Sequence, residues 1–144
     1  MEETTQNFKT IMKKNNLTYQ GSIQQDLFVI AEQHSLAEVV NILLDNARKY
    51  CDKNGKVRIE LVKSTWSKNV VLRVSNTYRE GKNKSYGHFF ERFYREDESH
   101  NFKKGGFGIG LAMARELVEA FHEKIAVSHK GEDIMFTVSL KSDK

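Results

Sequence analysis

The chain has 144 residues, 39% of them hydrophobic and 29% charged, with no proline, a balance that excludes a disordered or collagen-like polymer and allows one globular domain with its own core. Cys51 is the only cysteine, which excludes an internal disulfide and argues against structural zinc. The net charge of +4 is modest, its basic pairs lie among acids, no apolar run nears the ~20 residues of a membrane span, and MEETTQNFK has no signal-peptide core; this argues against nucleic acid or membrane contact and for a cytoplasmic location.

In chain order, residues 4–14 are expected to form a short helix with Phe8, Ile11 and Met12 inward, ended by Asn15-Asn16, while residues 1–7 are expected to be disordered or vector-derived. A strand or hairpin should follow. Leu17 to Gln20 and Leu27 to Ala31 carry β-formers around the turn-like Gly21-Ser22. Ser35, with Glu38 three residues on, has the form of a capping box and predicts a helix start there.

From Leu36 to about Tyr50, Leu36, Val39, Val40, Leu43, Leu44, Ala47 and Tyr50 recur at helical spacing, which predicts an amphipathic helix. Asn46 falls on the edge of its apolar face, beside Ile42 and Lys49, whereas Asn41, Asp45 and Arg48 point elsewhere. A half-desolvated amide needs a partner, and water at the surface is the plain alternative to a ligand.

Asp52 to Lys56 reads as a turn, after which Val57 to Lys63 and Val70 to Ser75 predict an antiparallel hairpin. Between Asn76 and Gly106 regular patterning collapses, apart from the aromatic piece HFFERFYRE, and so long an unpatterned stretch inside a compact domain reads as a lid or binding loop, placed at about residues 79–105. Then comes KKGGFGIGLAMARELV. Gly105, Gly106, Gly108 and Gly110 make its first half a loop, and the apolar pattern of its second half predicts a helix, so a glycine loop runs into a helix start that can take an anion on its free amides. It is not a Walker loop, for it lacks the Gly-Lys-Ser/Thr ending, and no strong strand precedes it as in a dinucleotide fold. Ile125 to His129 and Ile134 to Leu140 predict a second hairpin. Two hairpins separated by helices predict an α+β fold of the whole chain, 1–144, as a single domain: one layer of helices on a mixed sheet.

Taken together and in order, the long helix with LAEVVNILLDNARKY, the hairpin ending in SNT, the FERFYR piece and GGFGIGLA make the chain, from about Phe8 to Leu140, resemble the catalytic ATP-binding (HATPase_c) domain of bacterial sensor histidine kinases, in the GHKL superfamily. The resemblance implies the Bergerat fold, a two-layer α/β sandwich whose mixed, mostly antiparallel sheet is covered on one face by about three helices. It implies ATP and Mg2+ as cofactors. By resemblance to the N box, Asn46 takes the magnesium position, Lys49 reaches the phosphates and Tyr50 walls the adenine or ribose. The family's usual second Asn, four residues earlier, is Ile42 here. VLRVSNTYREG aligns with the first glycine box, where Asn76 stands in place of the usual adenine-reading Asp, followed by Thr77, and neither following glycine is kept. An Asn can still accept from the adenine amino group and donate to a ring nitrogen.

HFFERFYRED is similar to the F box, with Arg92 and Arg95 as γ-phosphate contacts, and the backbone of Gly106, Phe107, Gly108, Ile109, Gly110 and Leu111 as the phosphate cradle of the second glycine box. The implied reaction moves the γ-phosphoryl of ATP to a histidine on a dimerisation helix pair outside this chain. Without that partner the domain is expected to be inactive as an autokinase and monomeric. The histidines here lack an acceptor motif, and the absence of proline excludes His-Glu-x-x-Thr-Pro. The implied parent is a membrane-anchored sensor that hands its phosphoryl on to a response regulator. Two other readings stay open: a stand-alone GHKL serine kinase of the anti-sigma-factor type, and a docking module whose altered first glycine box has lost nucleotide.

Overall fold

The computed structural model describes residues 2–24, 33–65, 67–81 and 110–141. Helix α1 (Glu2–Lys14) and strand β1 (Thr18–Ile23) lead to helix α2 (Gln33–Tyr50), the hairpin β2 (Lys56–Lys63) and β3 (Val70–Thr77), a 3-10 turn at Arg79–Gly81, helix α3 (Gly110–Ala120) and the hairpin β4 (Ile125–Lys130) and β5 (Asp133–Leu140). The strands form one five-stranded sheet in the order β1-β2-β3-β5-β4. Among the described strands only β1 runs parallel to its neighbour.

Alternation within the strands sets the two faces. Val57, Ile59 and Leu61 of β2, Val70, Leu72 and Val74 of β3, and Ile134, Phe136, Val138 and Leu140 of β5 are buried, while the residues between them are half-buried. Period two puts each set on one face. Against that face lie Phe8 and Met12 of α1, Val39, Val40, Leu43, Leu44 and Ala47 of α2, and Val118 of α3, in one continuous core. The α+β sandwich is therefore as expected, mixed and mostly antiparallel, with three helices among the described residues.

Four expectations need correction. Helix α1 begins at Glu2, inside the segment expected to be disordered. Ile11 is 37% exposed and not inward, because a single helix touching a sheet edge buries only a narrow stripe, here Phe8 and Met12 at i, i+4. Gly21-Ser22 is not a turn: β1 runs straight through it, with Gly21 opposite Ile59 and Ser22 opposite Glu60 in a parallel ladder. Ser35 lies inside α2, which starts at Gln33, so the capping box does not mark its beginning. Leu27 to Ala31 lie outside the described residues.

Candidate nucleotide-binding site

Helix α2 supplies the first wall. Its apolar stripe of Leu36, Val39, Val40, Leu43, Leu44 and Ala47 seats it on the core, and no glycine or proline interrupts it between Gln33 and Tyr50. This seating leaves Ile42, Asp45, Asn46, Arg48, Lys49 and Tyr50 half-buried at the rim and Asn41 exposed. Among the described residues the Asn46 carboxamide meets no hydrogen-bond partner. One helical turn earlier, Ile42 carries the start of α3: a Cβ placed on Gly110 would stand 3.6 Å from its Cγ2. The end of the glycine loop thus abuts the same stretch of α2 that bears Asn46. Leu111 beside it turns to the core, where it is half-buried. Where the resemblance implies a second Asn, this chain has Ile42, whose Cγ2 lies beside the first residue of α3.

Lys49 is held locally. Its Nζ lies 3.0 Å from Asp45 Oδ2, while Arg48 Nη2 takes Asp45 Oδ1 at 2.6 Å. Burial would raise the Asp45 carboxyl, but the hydrogen bonds from Arg48 and Lys49 outweigh it and hold the group below its ordinary value. A partly exposed i, i+4 pair of this kind contributes only a few tenths of a kcal/mol, so Lys49 can leave Asp45 for a more highly charged phosphate. The clamp was missed by sequence reasoning, although the spacing Asp45, Arg48, Lys49 carries it.

The second wall is the end of β3. Asn76 continues the buried phase of Val70, Leu72 and Val74 and is only 2% exposed. A polar group in that phase is the sequence signal that marks it, because an unpaired amide in a core position is costly. Its Nδ2 donates to the Thr77 carbonyl at 3.1 Å. Its Oδ1 meets no donor among the described residues. Thr77 is locked as well, its Oγ1 accepting from the Lys56 amide at 3.0 Å.

Helix and strand are tied together just past both. The turn after α2 delivers the Asp52 amide to the Thr77 carbonyl at 2.9 Å, and Asp52 Oδ2 accepts from the Arg79 amide at 3.0 Å. Tyr78 donates its amide to the Glu132 carbonyl at 2.8 Å and accepts from His129 Nε2 at 2.7 Å, which fixes Nε2 as the protonated nitrogen, since a carbonyl only accepts. The chain thus leaves the sheet toward the lid segment from an anchored point at Tyr78 to Gly81. Arg92, Arg95, Gly106, Phe107, Gly108 and Ile109 lie outside the described residues, as does most of the lid at 79–105.

Cys51, in the same turn, is pushed up to about 11 from an ordinary 9.0, first by burial and then by the nearby Asp52 and Asp133 charges. The thiolate is the reactive form, so at pH 8 alkylation of Cys51 by iodoacetamide is expected to run about a hundredfold slower than that of an unperturbed thiol. Mass spectrometry of a timed reaction checks it.

A mixed five-stranded sheet under helices, with a rim amide on one helix, a buried carboxamide at a strand end and a glycine-started helix set against the first, has the form of a nucleotide-binding ATPase domain. The model of the histidine kinase-, DNA gyrase B- and HSP90-like ATPase family (HATPase_c) matches residues 31–144. The chain is 30% identical over 138 residues to the sensor protein CiaH of Streptococcus pneumoniae, covering 95% of this chain and 31% of that protein. It is 29% identical over 140 residues to the sensor protein VanSC of Enterococcus gallinarum, covering 97% of this chain and 38% of that one. Among solved structures, the mycobacterial sensor histidine kinase MprB superposes with a TM-score of 0.79 at 17% identity, covering 98% of this chain and 92% of that chain. The nucleotide-free catalytic domain of histidine kinase ThkA superposes at 0.77 and 22%, covering 97% and 88%. The chain belongs to this ATPase family, in the form taken by the catalytic domain of sensor histidine kinases. It spans about a third of the length of the curated relatives it matches. Among the described residues no helix is long and apolar enough to cross a membrane.

Proposed function

We propose that the chain binds Mg2+-ATP and presents its γ-phosphoryl to a histidine on dimerisation helices outside this sequence, in the cytoplasmic part of a membrane-anchored sensor that passes the phosphoryl to a response regulator. The observation that carries the reading is the half-buried Asn46 amide, without a partner among the described residues, one turn from the Ile42 seat of Gly110. This donor fits magnesium, a hard cation that accepts a single amide oxygen and fills its octahedron with water and phosphate. When bound, magnesium would neutralise charge on the phosphate oxygens. Phosphoryl transfer asks the protein for positioning and charge compensation rather than covalent chemistry. In this chain Asn46 would hold the metal. Lys49, released from Asp45, would meet the phosphates, Tyr50 would flank the base or ribose, and the amides at Gly110 and Leu111 would end the phosphate cradle. Arg92 and Arg95, with the backbone of Gly106 to Ile109, are assigned to the same phosphates by their motifs. Asn76 and Thr77 would take the adenine.

Calorimetric titration of ATP with and without magnesium tests the reading. Binding in the micromolar to millimolar range, about −8 to −4 kcal/mol, is expected, with the stronger binding when magnesium is present. No heat at millimolar ATP would select the docking-module reading instead. The Oδ1 of Asn76, without a donor among the described residues, favours a retained base site. Asn76→Ala is expected to lower the preference for ATP over GTP roughly three- to tenfold, the worth of one hydrogen bond, in competition titrations. Equal discrimination in both proteins would mean that adenine is read elsewhere.

A further inference from the structure

At roughly 100° per residue, Ile42, Asn46 and Lys49 fall within about 60° of one another on α2, on the side where Ile42 meets Gly110, while Asp45 lies beside that stripe and Arg48 further round. Lys49 therefore stands on the stripe, but its head does not stay there. Its Nζ is 3.0 Å from Asp45 Oδ2, and Asp45 Oδ1 accepts from Arg48 Nη2 at 2.6 Å and from Arg48 Nε at 3.2 Å. The two oxygens of one carboxylate are thus divided between two cations. Arg48 grips with a planar fork and fixes the carboxylate, whereas Lys49 is a single ammonium on a flexible stem. Lysine is the partner that can leave. Among the described residues no other acid lies within ion-pair reach of Lys49. Cations in the last turn already suit the negative end of a helix, so Asp45 is not needed to keep them there. Burial raises the Asp45 carboxyl, but the hydrogen bonds from Arg48 and Lys49 outweigh that and hold it below its ordinary value, so at neutral pH it competes as a full negative charge.

We infer that Asp45 is a built-in competitor for Lys49, a positioning residue that parks the ammonium beside Arg48 in the free protein, so that a phosphate chain gains this cation only by displacing a carboxylate. The inference rests on the proposed placement of phosphate at Asn46 and Lys49. An ammonium that is already paired offers a ligand only the difference between two attractions, and that difference is favourable because a polyphosphate chain is more highly charged than a carboxylate. An ion pair that looks like support for the site thus works against binding. Asp45 is also set against a direct metal role, since both of its oxygens are taken by cations.

The test uses the full chain and measures affinities for ATP, for magnesium tripolyphosphate, which has no base, and for adenosine, which has no phosphate. Asp45→Asn keeps the shape of the side chain and removes its charge. It should bind ATP and tripolyphosphate roughly two- to fivefold more tightly than the unaltered protein, the worth of a partly exposed ion pair, and leave adenosine affinity unchanged. A general structural change would move all three ligands together. Lys49→Met should weaken both phosphate ligands, and in the Lys49→Met background most of the gain from Asp45→Asn should vanish. A gain of the same size with and without Lys49 overturns the competitor, because simple repulsion between Asp45 and phosphate would then explain it. Equal or weaker phosphate binding by Asp45→Asn overturns it too, and a weakening seen only with magnesium present would make Asp45 a metal ligand instead. If the unaltered protein binds ATP but Lys49→Met changes nothing, phosphate does not lie at Lys49 and the competitor falls with that placement. Binding of neither ATP nor tripolyphosphate by the unaltered protein would overturn the nucleotide reading itself.

Discussion

Asn46→Ala is expected to remove the magnesium-dependent part of ATP binding, a loss of about tenfold or more, equal to about 1.4 kcal/mol or above, while the fold persists. The fold should persist because the Asn46 amide is half-buried at the rim of α2 and bonds to no described residue, so its removal leaves no donor or acceptor stranded. Alanine also favours the helix. The loss should appear only with the metal present: binding of ATP in excess chelator is expected to be equal in the two proteins. Titrations with and without magnesium, beside a circular dichroism melt, check both halves. Unchanged magnesium dependence would remove Asn46 from the site, and a collapsed melt would mean that the amide has a structural role instead.

The sequence disclosed α2 almost fully because eighteen residues without a breaker repeat an apolar stripe, and a local periodic signal needs no knowledge of partners. The β2-β3 and β4-β5 hairpins were legible for the same reason. Strand β1 was misread because its pairing is not local. Gly21 and Ser22 look like a turn until β2, far along the chain, offers Ile59 and Glu60 as parallel partners. At a sheet edge such polar, exposed residues are also useful, since they discourage pairing with other chains. Ile11 was misplaced because an amphipathic pattern does not tell how wide the contact will be.

The site divides in the same way. Asn46 could be placed on a rim by helical phase, and Asn76 by strand phase, as an amide where an apolar residue was due. The Thr77 carbonyl, the Asp52 amide and the tight packing at Gly55 could not be read, because backbone groups carry no sequence signature and their meeting depends on how α2 ends over β3. The resemblance assigned Asn76 a role, and in the structure its Nδ2 donates to the Thr77 carbonyl while its oxygen meets no described donor.

Phe136→Ala is expected to cost about 3–5 kcal/mol of stability, and Ile11→Ala less than about 0.5 kcal/mol, although both remove large apolar side chains. Phe136 is 1% exposed on β5, between Val74 of β3 and Val127 of β4, so its ring meets protein on every side and its loss leaves a cavity under the helices. Ile11 already faces water at 37% exposure. Since a domain of this size is held by about 5–15 kcal/mol, the first change takes a large share of the total and the second almost none. Urea melts should show a much lower midpoint for Phe136→Ala with an unchanged slope, because the surface exposed on unfolding stays nearly the same. ATP affinity of the folded fraction should not change, for Phe136 lies in the core and not at the rim of α2 where Asn46 sits. If Ile11→Ala proved as costly as Phe136→Ala, then α1 would bury its other face against something in solution, and the division between a one-sided α1 and a fully enclosed β5 would be wrong.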